Sequence, residues 1–287
     1  MSDVSYEKWS APGVKFIELA NGFPAFEIDN GKCKAVVSLY GGQLLSFTPV
    51  GATPVIYMCR GAQFKPGKAI RGGIPLCAPW FGAATTPGFP AHGAIRLATW
   101  LPESISASAI VLKLTAADLP EQFRALPFEF TLKYNFSAEL DIELSVLNTG
   151  SVPVDFTAAM HSYFAVSNVT RIKVRGLDGA AYFDAAANTD GTQHGDVTVS
   201  DEIDRIYQSG GTKLEIVDDN RTICIEKRNS RATVVWNPGI EKAKGFADLD
   251  DAEYPDFICV ETANTREDAR VIQPGETHIL GTRIYLS

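Results

Sequence analysis

Hydrophobic and polar residues alternate along much of the chain with a period of two. Between residues 128 and 136, Phe, Phe, Leu, Tyr and Phe occupy every second position, with Glu, Thr, Lys and Asn between them. The same alternation continues in 140–146, where Leu, Ile, Leu and Val alternate with Asp, Glu and Ser. Because successive side chains of a β-strand point to opposite faces, both segments are predicted to be strands with one face in a core.

Shorter segments of β-like composition are predicted as further strands at 33–39, 43–48, 108–115, 171–174, 212–217, 221–227, 232–236 and 278–286. Asp218, Asp219 and Asn220 supply turn residues between two of them, which predicts a hairpin. Helical periodicity is weak, and 118–126 is compatible with one or two helical turns. This pattern predicts an all-β sandwich or barrel, and without a linker in the sequence we expect one domain over 1–287.

Composition and charge narrow the possible partners. The chain has 26 Lys and Arg against 34 Asp and Glu, a net charge of −8, which argues against a nucleic acid or an anionic membrane as partner. Residues 72–95 carry no charge, but their four prolines exclude a membrane helix and predict a buried or cleft-lining loop. The five cysteines have no metal-binding spacing, and the polar N-terminus lacks the order of a signal peptide, so we expect a cytoplasmic protein.

Several common functional motifs are missing from the sequence. The chain has no GxGxxG after a strand, no GxxxxGK[ST], no GxSxG and no HExxH. Dinucleotide binding, P-loop chemistry, ordinary serine hydrolysis and zinc proteolysis therefore lose their main support, and we expect no cofactor and no metal. No apolar stripe calls for a partner chain, so we also expect a monomer.

A few residues are candidates for chemistry, each with a structural alternative. His92 in PAHGAIR and His161 in AAMHSYF have unusual neighbours, although a lone histidine in an apolar run is more often a core residue. Glu261 follows the apolar run FICV, where it either pairs with a cation or is desolvated towards a general base. Arg71 opens RGGIPLCAPWFG, which is either a tight buried turn or a rigid rim that meets an anion.

Other polar residues carry a weaker signal. Asp204 in DEIDRIYQ, taken alone, is more typical of a surface strand end than of a ligand contact. Asp250, Asp251 and Glu253 are predicted to form a solvated acidic loop without chemistry.

Taken together, the motifs resemble those of one enzyme family. RGGIPLCAPWFG, FPAHGAIR, MHSYFAVSNV, EIDRIYQ, VVWNPGIEKAKGFADL and ICVETAN occur in the order found in glucose-6-phosphate 1-epimerases, a branch of the aldose 1-epimerase (galactose mutarotase-like) superfamily. The resemblance spans roughly residues 30–285. It implies an antiparallel β-supersandwich with few short helices and a sugar bound in an open concave cleft. It also implies a small-molecule sugar phosphate as partner, with interconversion of the α and β anomers of D-glucose 6-phosphate and related hexose 6-phosphates.

The resemblance also implies roles for individual residues. His161 matches the general acid and Glu261 the general base. The positions that match substrate-binding residues are His92 on the ring-oxygen side, Asp204 at the sugar hydroxyls, and Arg71 and Arg96 at the 6-phosphate. Mutarotation needs a base for the C1 hydroxyl proton and an acid for the ring oxygen. We expect Glu261 to take that proton while protonated His161 donates to O5, with the roles reversed on ring closure.

Three departures from the family pattern bear on sugar preference. Ala91 stands where some relatives have Gln, Gly239 replaces a Trp, and Thr262 with Ala263 replaces Pro-Gly or Ala-Gly. They lie beside the expected cleft rather than on its acid or base.

Two alternative functions stay open. An aldose 1-epimerase for free hexoses is the first, and convergence of Arg71 and Arg96 on one anion would argue against it. A non-catalytic carbohydrate-binding protein on the same fold is the second, because fold alone does not settle function. The presence of both His161 and Glu261 in matching contexts argues against that reading.

Overall fold

The computed structural model describes residues 6–208 and 211–287. Within these residues the chain forms 22 strands, which are in chain order β1 (Val14–Glu18), β2 (Pro24–Asp29), β3 (Cys33–Ser38), β4 (Leu44–Pro49), β5 (Leu76–Cys77), β6 (Leu101–Ser106), β7 (Ala109–Leu114), β8 (Phe128–Phe136), β9 (Leu140–Asn148), β10 (Val154–Phe156), β11 (Ala158–Met160), β12 (Tyr163–Ala165), β13 (Lys173–Arg175), β14 (Ala181–Asp184), β15 (Thr189–Thr192), β16 (Ile203–Gln208), β17 (Lys213–Asp218), β18 (Arg221–Arg228), β19 (Ala232–Asn237), β20 (Phe257–Asn264), β21 (Arg270–Ile272) and β22 (Thr277–Leu286).

Helical structure is sparse. The described residues contain one α-helix, α1 (Gly239–Ala243), and short 3₁₀ turns at Tyr6–Lys8, Ala20–Gly22, Ile95–Leu97, Ala116–Asp118, Glu121–Phe123, Tyr254–Asp256 and Arg266–Asp268. No helix in the described part of the chain is long and apolar enough to span a membrane.

The strands pair antiparallel in two large sheets and two small ones. The cleft sheet has the order β15-β14-β16-β19-β20-β11-β5, with β12 also paired to β20. The outer sheet has the order β13-β17-β18-β22-β9-β8-β7-β6, while β1 to β4 form a four-stranded sheet and β10 pairs with β21. Buried side chains of both large sheets share one hydrophobic core. The predicted all-β antiparallel architecture with few short helices is confirmed.

Where alternation is clean, the predicted strands match the structure closely. β8 covers 128–136 as predicted, and β9 extends two residues past the predicted end at 146. Asp218 pairs with Arg221 across the predicted hairpin, which leaves Asp219 and Asn220 as its two-residue loop. The segment 118–126 forms two 3₁₀ turns. Helix α1 was not predicted, and it begins at Gly239, whose φ of +63° suits glycine.

Strand β20 is buried on both faces, and this places a carboxyl group inside the protein. Ile258 and Val260 belong to the core shared with the outer sheet. The alternate residues Phe257, Cys259 and Ala263 belong to a second apolar cluster on the opposite face. Because side chains alternate along a strand, Glu261 points to the same side as this second cluster.

Candidate active site

Three neighbouring strands bring Asp204, Trp236 and Glu261 onto one face of the cleft sheet. Asp204 on β16 pairs with Trp236 on β19. On the other side of β19, Glu261 pairs with Val234, which is two residues from Trp236. Directly paired residues, and residues two apart on one strand, have side chains on the same face. These residues, far apart in sequence, therefore line the same surface.

Backbone hydrogen bonds place the RGGIP segment beside His161. The N–H of His161 donates to the carbonyl of Pro75 at 2.9 Å, and the N–H of Tyr163 donates to that of Gly73 at 2.9 Å. This ladder runs next to β11 and β12 and carries Arg71 to the edge of the same surface.

The HGAIR segment folds back on the same region. The N–H of His92 donates to the carbonyl of Gly82 at 2.7 Å, and the N–H of Ala94 donates to that of Ala78 at 2.9 Å. Gly93 between them has a φ of +80°, and a β-carbon there would collide with the carbonyl oxygen of Ala78. Glycine is therefore required for the two motif segments to lie this close together.

All six residues predicted as site residues line one cleft of about 450 Å³. Its walls also contain apolar and aromatic side chains and further charged groups. The lining residues are Lys68, Ala69, Ile70, Arg71, Pro75, Phe81, His92, Arg96, His161, Tyr163, Asp204, Val234, Trp236, Lys242, Phe246, Asp248 and Glu261.

His161 and Glu261 form a close, buried pair in the lining of this cleft. His161 Nδ1 lies 3.5 Å from Glu261 Oε1, and the side chains are 15% and 1% exposed. Neither His161 Nδ1 nor Glu261 Oε2 has a hydrogen-bond partner among the described residues. Buried polar atoms are rarely left unpaired, so these two atoms mark a place where a ligand group would complete the hydrogen bonding.

The surroundings favour the neutral form of both residues. Burial raises the pKa of Glu261 well above its ordinary value, and the negative charge of Asp204 adds to this effect. Burial lowers the pKa of His161 well below its ordinary value, and His92, Arg96 and Arg71 lower it further. Both shifts favour a proton on Glu261 and an uncharged imidazole on His161. The surroundings therefore disfavour the protonated His161 expected from the sequence, and its role as the donor to O5 stays a prediction.

His92 is held neutral in a defined orientation. Its Nδ1 accepts a hydrogen bond from the Gly82 N–H at 3.3 Å, so its remaining ring N–H, on Nε2, is available as a donor. Burial lowers the pKa of His92 to about 4, and Arg96 and Arg71 contribute to this. Its φ of +62° is unusual for a residue other than glycine. The ring centroids of His92 and His161 are 6.1 Å apart.

The two predicted arginines have different partners. Arg71 Nε donates to Asp248 Oδ1 at 2.6 Å, and the guanidinium lies 4.2 Å from the centre of the Phe246 ring. Arg96 donates from Nη2 to the carbonyl of Ala91 at 2.8 Å, while its buried Nε has no partner among the described residues. Within that part of the chain, Arg96 forms no ion pair.

Several cleft residues were not predicted as site residues, among them Lys68, Lys242, Phe246 and Asp248. Lys68 is an exposed cation at the rim, and Lys242 Nζ lies 2.6 Å from Glu202 and 3.8 Å from Asp204. Phe246 and Asp248 follow α1 in the quoted segment GIEKAKGFADL. The motif could have drawn attention to these two residues, but only the fold shows that the segment returns to the cleft.

One prediction about the acidic loop is wrong. Glu253, expected to be solvated, is fully buried. Its carboxylate accepts hydrogen bonds from Tyr57 Oη and from the N–H groups of Arg60 and Asp250. These donors replace water, which is why the carboxylate can be buried.

The comparisons with known proteins agree with this geometry. Residues 24–285 match the family described as aldose 1-epimerase. A relative from Escherichia coli (strain K12), named "Putative glucose-6-phosphate 1-epimerase", is 33% identical over 264 residues, which cover 88% of this chain and 87% of the relative. A relative from Cenchrus ciliaris with the same name is 35% identical over 262 residues, covering 85% and 78%.

A solved structure gives the same result for the fold. The crystal structure titled as that of "a putative mutarotase (YeaD) from Salmonella typhimurium" superimposes with a TM-score of 0.87 at 29% identity, covering 96% of this chain and 94% of that chain. The family match extends over most of the chain and includes every residue of the cleft described above. The chain therefore belongs to the aldose 1-epimerase family and is an epimerase with a mutarotase fold.

Proposed function

We propose that this enzyme interconverts the α and β anomers of hexose 6-phosphates, with D-glucose 6-phosphate as the expected substrate. The observation that carries the proposal is the buried Glu261–His161 pair, whose side chains line a cleft together with four cationic residues. That cleft has one more cationic side chain than carboxyl groups, although the whole chain has a net charge of −8. The names of the two relatives support the same substrate class.

The pair supplies an acid and a base at the same time. A carboxylic acid beside a neutral imidazole holds the same number of protons as a carboxylate beside an imidazolium. In the second form, Glu261 takes the C1 hydroxyl proton while His161 donates a proton to O5, and the C1–O5 bond breaks to give the open aldehyde. Rotation about C1–C2 followed by the reverse transfers closes the ring as the other anomer. Each positioned acid or base contributes about 10²–10⁴-fold to such a reaction.

Phosphate binding would favour the catalytic form of the pair. Arg96 and Arg71 are two of the groups that lower the pKa of His161. A phosphate dianion bound beside them offsets their positive charge and so raises the proton affinity of His161. This favours proton transfer from Glu261 to His161 when a phosphorylated sugar is bound. The phosphate is thereby linked to catalysis as well as to affinity.

The remaining predicted residues fit binding roles. Arg96 has an unpartnered Nε and no ion pair within the described residues, and Lys68 at the rim likewise has no acidic partner there. We assign these two cations and Arg71 to the phosphate. His92 offers a neutral N–H on the ring-oxygen side, and Asp204, which is half-buried, can accept hydrogen bonds from sugar hydroxyls.

The substrate class is tested by anomer exchange in magnetisation-transfer NMR, with glucose 6-phosphate and glucose as substrates. The double variant Arg71→Gln/Arg96→Gln is expected to raise KM for glucose 6-phosphate by about 10²-fold, because two charge-assisted hydrogen-bonding groups are lost. Exchange of free glucose should not fall, because this sugar makes no phosphate contacts and the loss of two positive charges raises the proton affinity of His161. The matched control is Arg171→Gln/Arg175→Gln, which removes two exposed arginines outside the cleft.

Each other outcome has a clear meaning. Equal losses for both sugars would show that the arginines support the structure rather than bind phosphate. Acceleration of glucose alone by the wild-type enzyme would make it a free-hexose epimerase. Acceleration of neither sugar would leave a carbohydrate-binding protein and would overturn the proposal.

We also propose that the chain acts as a single-domain monomer in the cytoplasm. One hydrophobic core takes residues from all four sheets, which supports one domain. The cysteines are buried and free, as in a reducing compartment. The large exposed hydrophobic residues are scattered, which supports a monomer; among the described residues they are Val50, Leu101, Val152, Ile240, Val271 and Ile279.

A further inference from the structure

One wall of the cleft is built by the segment that follows α1. We call residues 244–256 the return loop, because it leaves α1 and comes back to the cleft before β20 begins. It contributes Phe246 and Asp248 to the lining. Both side chains contact the same residue, Arg71: Asp248 accepts the hydrogen bond from Nε at 2.6 Å, and Phe246 lies under the guanidinium at 4.2 Å.

These contacts restrict an otherwise flexible side chain. A guanidinium has five N–H donors in one plane, one on Nε and four on the terminal nitrogens. Asp248 occupies the Nε donor, and the Phe246 ring covers one face of the plane. Tyr163 also interacts with the guanidinium, and the terminal N–H groups that it leaves free are the ones available to an anion in the cleft. Arginine loses considerable rotamer entropy when it is ordered, so ordering it before the substrate binds lowers the cost of binding.

The backbone of Asp248 is itself fixed in place. Gly61 packs against it so closely that a β-carbon at residue 61 would lie 3.0 Å from the Asp248 carbonyl carbon. The next residue, Leu249, is buried in the apolar cluster beneath the cleft. Farther along, the Asp250 N–H donates to the buried carboxylate of Glu253 at 2.9 Å. Asp248 is therefore held by its neighbours and is able to hold Arg71.

We propose that Asp248 is a positioning residue for phosphate recognition, which acts by fixing the Arg71 guanidinium with its terminal nitrogens towards the 6-phosphate. This inference rests on the proposed function. The carboxylate has a second, opposite effect, because its negative charge repels a phosphate dianion nearby. The structure thus contains a hydrogen bond that favours substrate binding and a charge that opposes it, both on one side chain.

Two substitutions separate these effects. Asp248→Asn removes the charge but keeps an oxygen that can accept the hydrogen bond from Arg71 Nε. Asp248→Ala removes the charge and the hydrogen bond. Both variants lack the charge, so the ratio of their Kd values, or of their KM values, measures the effect of the hydrogen bond on positioning alone. Asp251→Asn and Asp251→Ala are the matched controls, because Asp251 is an exposed carboxylate of the same loop outside the cleft.

The probe is 1,5-anhydroglucitol 6-phosphate, which carries the phosphate but has no anomeric hydroxyl and cannot open. Isothermal titration calorimetry measures its Kd, and magnetisation-transfer NMR measures KM and kcat for glucose 6-phosphate. We expect Kd and KM to be about tenfold higher for Asp248→Ala than for Asp248→Asn, as for the loss of a hydrogen bond to a charged group. We expect kcat of the two variants to agree within about threefold, because Arg71 binds a remote part of the substrate. Asp251→Ala and Asp251→Asn should have nearly equal Kd and KM values.

Failure of this inference is distinguishable from failure of the proposed function. If wild-type protein binds the probe and exchanges glucose 6-phosphate, but the Ala and Asn variants at residue 248 have equal Kd and KM, Asp248 is only a counter-ion and the inference is wrong. A difference confined to kcat would also contradict it. If wild-type protein neither binds the probe nor accelerates exchange, the proposed function fails and this inference fails with it.

Discussion

Two glutamates of this protein are equally buried, yet their surroundings are opposite. Glu253 on the return loop is 0% exposed, and three donors surround it: Tyr57 Oη at 2.6 Å, the Arg60 N–H at 2.7 Å and the Asp250 N–H at 2.9 Å. Glu261 on β20 is 1% exposed, and its Oε2 has no partner among the described residues. Its titratable neighbour is His161, 3.5 Å away.

The contrast shows two ways in which one protein accommodates a buried carboxyl group. A buried polar group costs free energy unless hydrogen bonds replace those it made with water. At Glu253 the protein supplies these bonds, so the side chain ties the return loop to the segment around Arg60. At Glu261 it does not, and an unpaired atom on a central strand is a cost that folding alone does not explain. The substrate would supply the missing partner.

The largest effect should come from Glu261 and His161, the pair that we propose as catalytic. Glu261→Gln and His161→Gln are each expected to lower kcat/KM for glucose 6-phosphate by about 10²–10⁴-fold. Because the two side chains act as one unit, the double variant should lose no more than about tenfold beyond the worse single variant. Anomer exchange measured on wild type, the two single variants and the double variant completes this double-mutant cycle. Fully additive losses would mean that the two groups act independently.

Stability should respond in the opposite way at the two glutamates. Glu253→Gln replaces one acceptor oxygen with an N–H₂ group that faces a donor, and should lower the free energy of unfolding by about 2–3 kcal/mol. Glu261→Gln replaces the carboxyl with an amide of nearly the same shape and removes the cost of keeping that carboxyl protonated at neutral pH, so it should not lower the free energy of unfolding. Denaturant unfolding at neutral pH measures both. Equal destabilisation would remove the distinction between the two sites.

A smaller effect concerns the pH dependence of stability. The pKa of Glu261 is raised in the folded state above its ordinary value of 4.5, so the folded protein binds this proton more tightly than the unfolded chain. The resulting stabilisation is fully present below pH 4.5 and is lost as the pH rises through the folded pKa. Wild type should therefore lose stability relative to Glu261→Gln as the pH increases above 4.5. A constant difference between the two proteins would show that the pKa is not raised.

The sequence predicts strands β8 and β9 of the outer sheet better than strand β20 of the cleft sheet. In β8 and β9 one face is buried and the other meets solvent, so alternation is visible in the residues themselves. β20 is buried on both faces and reads as a continuous apolar run, which hides its register. Its only carboxyl group, Glu261, was predicted as a site residue because it interrupts that run and matches the family motif.

Other site features depend on tertiary contacts that no local pattern records. Asp248 and Phe246 reach Arg71 only because the return loop folds back across more than 170 residues of sequence separation. The burial of Glu253 depends in the same way on Tyr57 and the Arg60 backbone. Acidic residues in a loop are normally solvated, so composition alone predicted the wrong environment for Glu253.

The central claim is that Glu261 holds a proton at neutral pH and passes it through His161 to the sugar. Infrared difference spectroscopy between wild type and Glu261→Gln, with carbon-13 labelled glutamate, measures that proton directly. The account predicts a carbonyl band of a protonated carboxylic acid at neutral pH, which is absent in the variant and weakened when a phosphorylated sugar analogue binds. A carboxylate band from Glu261 in the unliganded enzyme at neutral pH would contradict it.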